Sequence, residues 1–158
     1  MADKKQSTND MLPELIRFRL EANVNTYAAY MNETGSTRLD SHDFTYAKGP
    51  WTYHDTYVGG TQFAGEEAVW YEGKAQYAMN YLGRVLAPEF SGDFLKEALR
   101  AADEKMPYRG PERYQNGEYL YTCSVQGDFT WFQGYEAISF KEQKVYECYF
   151  HGGTLRHE

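Results

Sequence analysis

Cysteine is scarce: the 158 residues hold two thiols, Cys123 and Cys148, and no C-x-x-C pair. A disulfide scaffold and a zinc ribbon are both excluded. Long apolar runs are missing too, and none nears the roughly 20 residues of a membrane-spanning helix. Basic charge is in deficit, with 16 Lys and Arg against 23 Asp and Glu and a net charge of −7. A non-specific nucleic-acid binder, or a binder of anionic membranes, needs a basic face, so neither partner is expected. Aliphatic side chains are few: 18 Leu, Ile and Val stand against 27 aromatics. Tyr joins an apolar body to a polar tip, which suits half-exposed strands, interfaces and pockets for planar polar ligands.

What is present fits one domain. The length supports a single core, and the composition, 42% apolar and 25% charged, is not that of a disordered chain. Residues 1–9 are polar and read as a disordered leader without a signal peptide's apolar stretch, leaving 10–158 as the domain. On that reading both thiols are free, in a reducing cytoplasm.

Leu12, Leu15, Ile16, Leu20 and Val24 recur at helical spacing, with Asn9 or Asp10 as cap and Pro13 in the first turn. Strand-like runs follow at Asp43–Ala47, Trp51–Val58, Gln62–Tyr71 and Lys74–Gly83. Glu72-Gly73 predicts a two-residue hairpin turn, because Gly accepts positive φ. Ser91 caps a second helix with the stripe Phe94, Leu95, Ala98, Leu99 and Ala102, stopped by Pro107. Further strands are expected near 118–125, 129–140 and 144–151.

The halves resemble one another. An offset of 69 pairs Phe63 with Phe132, Gly65 with Gly134, Glu67 with Glu136 and Tyr77 with Tyr146, without a gap. This predicts pseudo-repeats at about 10–86 and 90–153 from a duplicated α-β-β-β unit. The expected fold class is α+β, an antiparallel sheet with two helices on one face.

With a simple turn at Glu72-Gly73, Glu67, Val69, Tyr71 and Asn80 share one sheet face, opposite Glu66, Ala68, Trp70, Tyr77 and Met79. The same operation groups Glu136, Ile138, Glu147, Tyr149 and His151. If the halves close about a pseudo-twofold, Glu67 and Glu136 look into one aromatic cleft, with Tyr57, Tyr71, Tyr81, Tyr108, Trp131 and Tyr149 as ring candidates; otherwise each is a solvent-facing Glu on a wet sheet face. Asn80, His54, Asp55 and His151 supply polar contacts, and Arg84 and Arg109 either clamp a phosphate or carboxylate by their planar forks or form surface salt bridges. The His42-Asp43 and His54-Asp55 dipeptides lie in strand context, where neighbours point to opposite faces. On this reading Asp43 and Asp55 brace turns and the histidines hydrogen-bond to neighbours, and no metal or cofactor is expected. Val58-Gly-Gly-Thr61 and His151-Gly-Gly-Thr154 match no phosphate-loop pattern; they could cradle a phosphate, and tight turns explain them about as well. No nucleophile elbow is present, and the strand-borne cysteines have no helix N-terminus beside them.

Several segments together carry a resemblance: Ser41-His-Asp-Phe-Thr-Tyr46, Tyr53-His-Asp-Thr-Tyr-Val-Gly-Gly60, Phe63-Ala-Gly-Glu-Glu67, Met79-Asn-Tyr81, Met106-Pro-Tyr-Arg-Gly-Pro111 and Tyr149-Phe-His-Gly-Gly153. From about residue 12 onward the chain resembles a family of bacterial domains of unknown function. Members occur alone or behind an Xre-type helix-turn-helix head. The resemblance implies a sensor or interaction domain, here without the DNA-binding head, and no assigned activity. The expected function is non-enzymatic binding, as a sensor or a sponge, of a small molecule, with nucleotide-like ligands among the options and a homodimer compatible with it. The alternatives are a protein-interaction module partnering a regulator and, behind it, a small hydrolase with Glu67 or Glu136 as base.

Overall fold

The computed structural model describes residue 7 and residues 10–29 and 33–158; the expected leader and the Asn9 cap fall outside these, Ser7 apart. Helix α1 spans Leu12–Val24 and a 3-10 turn Tyr27–Ala29. Strands β1 (His42–Lys48), β2 (Trp51–Gly59), β3 (Gln62–Tyr71) and β4 (Lys74–Val85) follow as a meander. Helix α2 (Gly92–Arg100) leads to β5 (Arg113–Asn116), β6 (Tyr119–Asp128), β7 (Trp131–Phe140) and β8 (Gln143–Thr154). All eight strands form one antiparallel sheet in the order β1-β2-β3-β4-β8-β7-β6-β5.

This corrects the expected fold class. The protein is mostly β, the second half holds four strands rather than the three expected there, so that the repeated unit has four strands, and the helices form no layer across one sheet face. Helix α1 lies against β2 and α2 against β5 and β6, and the helices touch each other. In a flat sheet β2 and β6 would stand about 24 Å apart, five strand spacings. Contact between helices seated at such distant strands means that the sheet curls.

The helices form for local reasons. In α2 the Ser91 hydroxyl accepts from the Phe94 N–H, and Asp93 and Arg100 sit at the ends the helix dipole favours. Helix α1 begins without a side-chain cap, on Met11, with Pro13 in its first turn. Its buried stripe is Leu15, Phe18, Arg19, Ala22 and Asn23, so a charged residue rides among apolar ones. Phe18 stacks on Trp51 and Tyr46.

Strand alternation makes an inner face packed on the core and an outer face open to water. Tyr53, Val69, Tyr77, Met79, Tyr121, Ile138, Tyr146 and Cys148 point inward and are buried. The expected faces of β4 and β8 are corrected here. In the β3–β4 ladder Val69 pairs with Tyr77 but Trp70 with Ala75, so Gln76 is an extra residue. In the β7–β8 ladder Ile138 pairs with Tyr146 but Ser139 with Lys144, so Val145 is extra. Each bulge turns the rest of its strand over. Asn80 therefore faces away from Glu67, and Glu147, Tyr149 and His151 face away from Glu136.

Candidate functional site

Both inner carboxylates sit at the centres of hydrogen-bonded clusters. Glu67 on β3 is 3% exposed. Its Oε1 accepts from Arg19 Nε at 2.6 Å and Tyr77 OH at 3.4 Å, and its Oε2 from Tyr53 OH at 2.8 Å. Glu136 on β7 is fully buried. Its Oε1 accepts from Arg109 Nε and Tyr146 OH, both at 2.8 Å, and its Oε2 from Tyr121 OH at 2.6 Å. The loop after α2 supplies Arg109, whereas α1 supplies Arg19. Burial works against the Arg19 charge, but Glu67 outweighs it and the pKa rises. Burial and then Glu136 act in the same order on Arg109, whose pKa also rises. Among the described residues no buried side-chain N or O lacks a hydrogen-bond partner. That is the condition on which such groups are tolerated inside.

Asp55 extends the first cluster. It lies mid-strand on β2, facing inward, and accepts from Tyr81 OH at 2.5 Å. It braces no turn, which corrects the expectation for it. Burial raises its pKa to about 7, against the Tyr81 hydrogen bond, which lowers it. The Arg109 guanidinium lies 5.0 Å from the centre of the Tyr81 ring, tying the two clusters together. Cys123 and Cys148 flank Glu136 in the ladder, are free and buried, and burial pushes both thiols up to about 12. At neutral pH neither is a thiolate nucleophile.

The sequence-derived candidates divide between the faces. Asp55, Tyr57, Glu67, Tyr71, Tyr81 and Glu136 are inner-face residues, with Tyr108 and Arg109 reaching that side from the loop. His54, Asn80, Arg84, Trp131, Tyr149 and His151 are on the outer face. His54 Nε2 lies 2.6 Å from Asp43 Oδ2, and Asp43 also accepts from Ser41 and Thr37. Burial would raise the Asp43 pKa, yet these bonds hold it well below the usual carboxylate range. Asp43 thus braces the loop before β1, as expected. Arg84 pairs with Glu147 at 2.7 Å, and Glu147 also accepts from Tyr135 at 3.0 Å. Among the described residues no group of three or more His, Cys, Asp or Glu could hold a metal.

The glycine pairs differ from their expectation. Gly59 does turn a hairpin, at φ +96°, with Gln62 O only 2.3 Å from where a Cβ would stand. Gly152 and Gly153 instead lie inside β8, pressed against the backbones of Ala78 and Thr130.

The outer face carries two adjoining open depressions over β4, β8, β7 and β6, each about 650 Å3. Their walls include Asn80, Leu82, Gln126, Gln133, Tyr135, Tyr149 and His151, with Trp131 at one end. Trp131 is 84% exposed, Tyr149 59% and Leu82 52%.

Sequence reasoning missed Arg19 and the four tyrosines that close the clusters. Arg19 announces itself as a charge on the helical spacing of Leu15 and Ala22. Tyr53 and Tyr121 share the period-2 register of their strands with Asp55 and Cys123. Tyr77 and Tyr146 could be placed only once the bulges were known.

The fold and these clusters define a single-sheet antiparallel β domain with paired, buried Arg–Glu–Tyr centres. Residues 55–155 match the family described as a domain of unknown function, DUF5680, and the chain belongs to it. The match takes in Glu67, Glu136 and Arg109 but not α1 and its Arg19. No curated protein and no solved structure matches the chain.

Proposed function

We propose that this chain is a non-catalytic domain that binds a small molecule across the open outer face of its sheet. The observation that carries this reading is the contrast between the faces. On the inner face each Glu is occupied by an Arg and two Tyr hydroxyls, Asp55 accepts from Tyr81, and among the described residues no buried side-chain N or O is without a partner. On the outer face Asn80, Gln126, Gln133 and His151 line open space beside exposed rings. Amides and an imidazole fix orientation while rings supply contact area, the division of labour found in ligand sites. The resemblance to domains carried behind Xre-type heads supports a sensing or sequestering role. The matching centres 69 residues apart support a duplication, and the two free thiols support a reducing compartment.

A second reading rests on Trp131 and Tyr149, exposed residues of the types enriched at contact sites for a partner protein. Native mass spectrometry tests both. After incubation with a small-molecule cell extract, the folded protein should keep a non-covalent adduct of a few hundred daltons. The Trp131→Ala/Tyr149→Ala variant should lose it. A bare mass for the wild-type chain would overturn the small-molecule reading, and a stable complex with a protein from whole lysate would install the second.

A further inference from the structure

The open face has an unusual composition. Neither depression is lined by any Asp, Glu, Lys or Arg, although 25% of the chain is charged. A phosphate or carboxylate over the amide row would find no Lys or Arg among the lining residues, and Lys144 at the Tyr135 end is already tied to the Tyr135 hydroxyl at 2.7 Å, so a neutral ligand fits this face best.

The floor is a row of cross-strand neighbours, Asn80, His151, Gln133 and Gln126. The row spans three strand spacings, about 14 Å. Gln133 Nε2 donates to Gln126 Oε1 at 2.7 Å. That bond orients both amides and leaves one N–H on Gln133, both N–H groups on Gln126, and lone pairs on the Gln133 oxygen for a further partner. Rings flank the row. Trp131 stands two residues to one side of Gln133 on β7, and Tyr135 two residues to the other. Trp131 and Tyr135 are thus about 13 Å apart along the strand. Tyr135 packs on Tyr149 with ring centres 4.8 Å apart.

This arrangement asks for an uncharged ligand with apolar flat faces and many groups that both donate and accept hydrogen bonds. Pyranose rings have both, since their C–H faces pack on aromatic rings and their hydroxyls match amides. A nucleoside base would stack equally well, but a nucleotide's phosphate would go unpaired. We propose that the outer face binds a neutral oligosaccharide, stacked on Trp131 and on the Tyr135–Tyr149 pair and held by Asn80, Gln126 and Gln133. The proposal rests on reading this face as the ligand site.

The test begins with the whole protein on an array of neutral and acidic glycans. The best neutral hits are then titrated into 15N-labelled protein beside adenosine and adenosine monophosphate. The expected result is saturable shifts from a neutral glycan in the Gln126 and Gln133 side-chain amides and the Trp131 indole. Trp131→Ala should weaken that binding at least tenfold without changing the melting temperature. Binding of acidic glycans alone, or outer-face shifts from the adenosine compounds alone, would overturn the saccharide assignment and leave the binding-domain reading standing. Silence across the array would also overturn it. If the cell-extract experiment likewise gave a bare mass, the reading beneath it would fall too.

Discussion

The two halves of the sheet place a buried Glu at the same step of the same hairpin, then differ one strand away. Opposite Glu67 across β2–β3 stands Asp55, and opposite Glu136 across β6–β7 stands Cys123. Asp55 is answered by Tyr81, whereas the residue 69 places after Tyr81 is Phe150, which has no hydroxyl. Gly65 and Gly134 make room for these rings, with Tyr81 Oη 2.5 Å and Phe150 Cζ 2.2 Å from where a Cβ would stand. The framework therefore accepts either a polar or an apolar pair at one position. What differs is the cost, because on the inner face only the first half adds a further buried carboxylate, Asp55, to its Arg–Glu pair.

The comparison can be broken most forcefully at the arginines. Arg19→Ala and Arg109→Ala should each destabilise the chain by about 3–5 kcal/mol, because each strands a buried carboxylate. Arg109→Ala should cost more, since its guanidinium also lies over Tyr81. Urea unfolding measures both, and losses under about 1 kcal/mol would dissolve the idea of matched centres.

Asp55 sharpens the comparison through pH. Its folded pKa is raised from 3.8 to about 7, chiefly by burial. Between those values the folded chain holds a proton that the unfolded chain has released. The stability from this group is whole below about pH 4, falls as pH rises, and levels off above about 7. Asp55→Asn should remove that slope and stabilise the protein at pH 8 by on the order of 3 kcal/mol. Cys123→Asp should import the slope into the second half. Parallel wild-type and Asp55→Asn stabilities from pH 4 to 8 would defeat the assignment.

The hairpin turns give a smaller contrast. The first uses Glu72 and Gly73 at φ 48° and 77°, the second Lys141 and Glu142 at φ 48° and 67°. Gly73→Val should cost about 1 kcal/mol or more, whereas Glu142→Gly should be neutral or stabilising by some tenths. Melting temperatures that moved the same way would contradict the turn geometry. The smallest effect belongs to Trp131→Ala, which should change stability by under about 0.5 kcal/mol because the indole is exposed. A larger loss, read by the same unfolding experiment, would mean that Trp131 is structural.

Much of this was legible in the residues. Helix α2 appears with its Ser91 cap, β3 spans Gln62–Tyr71 as expected, and both carboxylates share a face. The errors have one main source. A bulge adds a residue without any composition signal, and Gln76 and Val145 look like ordinary strand residues. Missing them inverted β4 and β8 and hid Tyr77 and Tyr146 from their partners. Strand β5 escaped notice because Arg113-Tyr-Gln-Asn116 is short and has no apolar alternation. The helical layer was overread from the amphipathic stripe of α2, when the helices only seat on strands toward either end of a curled sheet.

The pairing of β4 with β8 has a consequence for how the chain is made. Tyr81 meets Phe150 in that ladder, 69 residues later. Until residues 143–154 leave the ribosome, β4 and β7 both lack a neighbour. The earlier meander can form locally, but the sheet is sealed only by its most distant pairing. Refolding should therefore be slow for the size of the domain, limited by closure of this loop. A nascent chain arrested before β8 would expose the edges of β4 and β7 in addition to the permanent edges at β1 and β5, the state in which this protein is most exposed to aggregation.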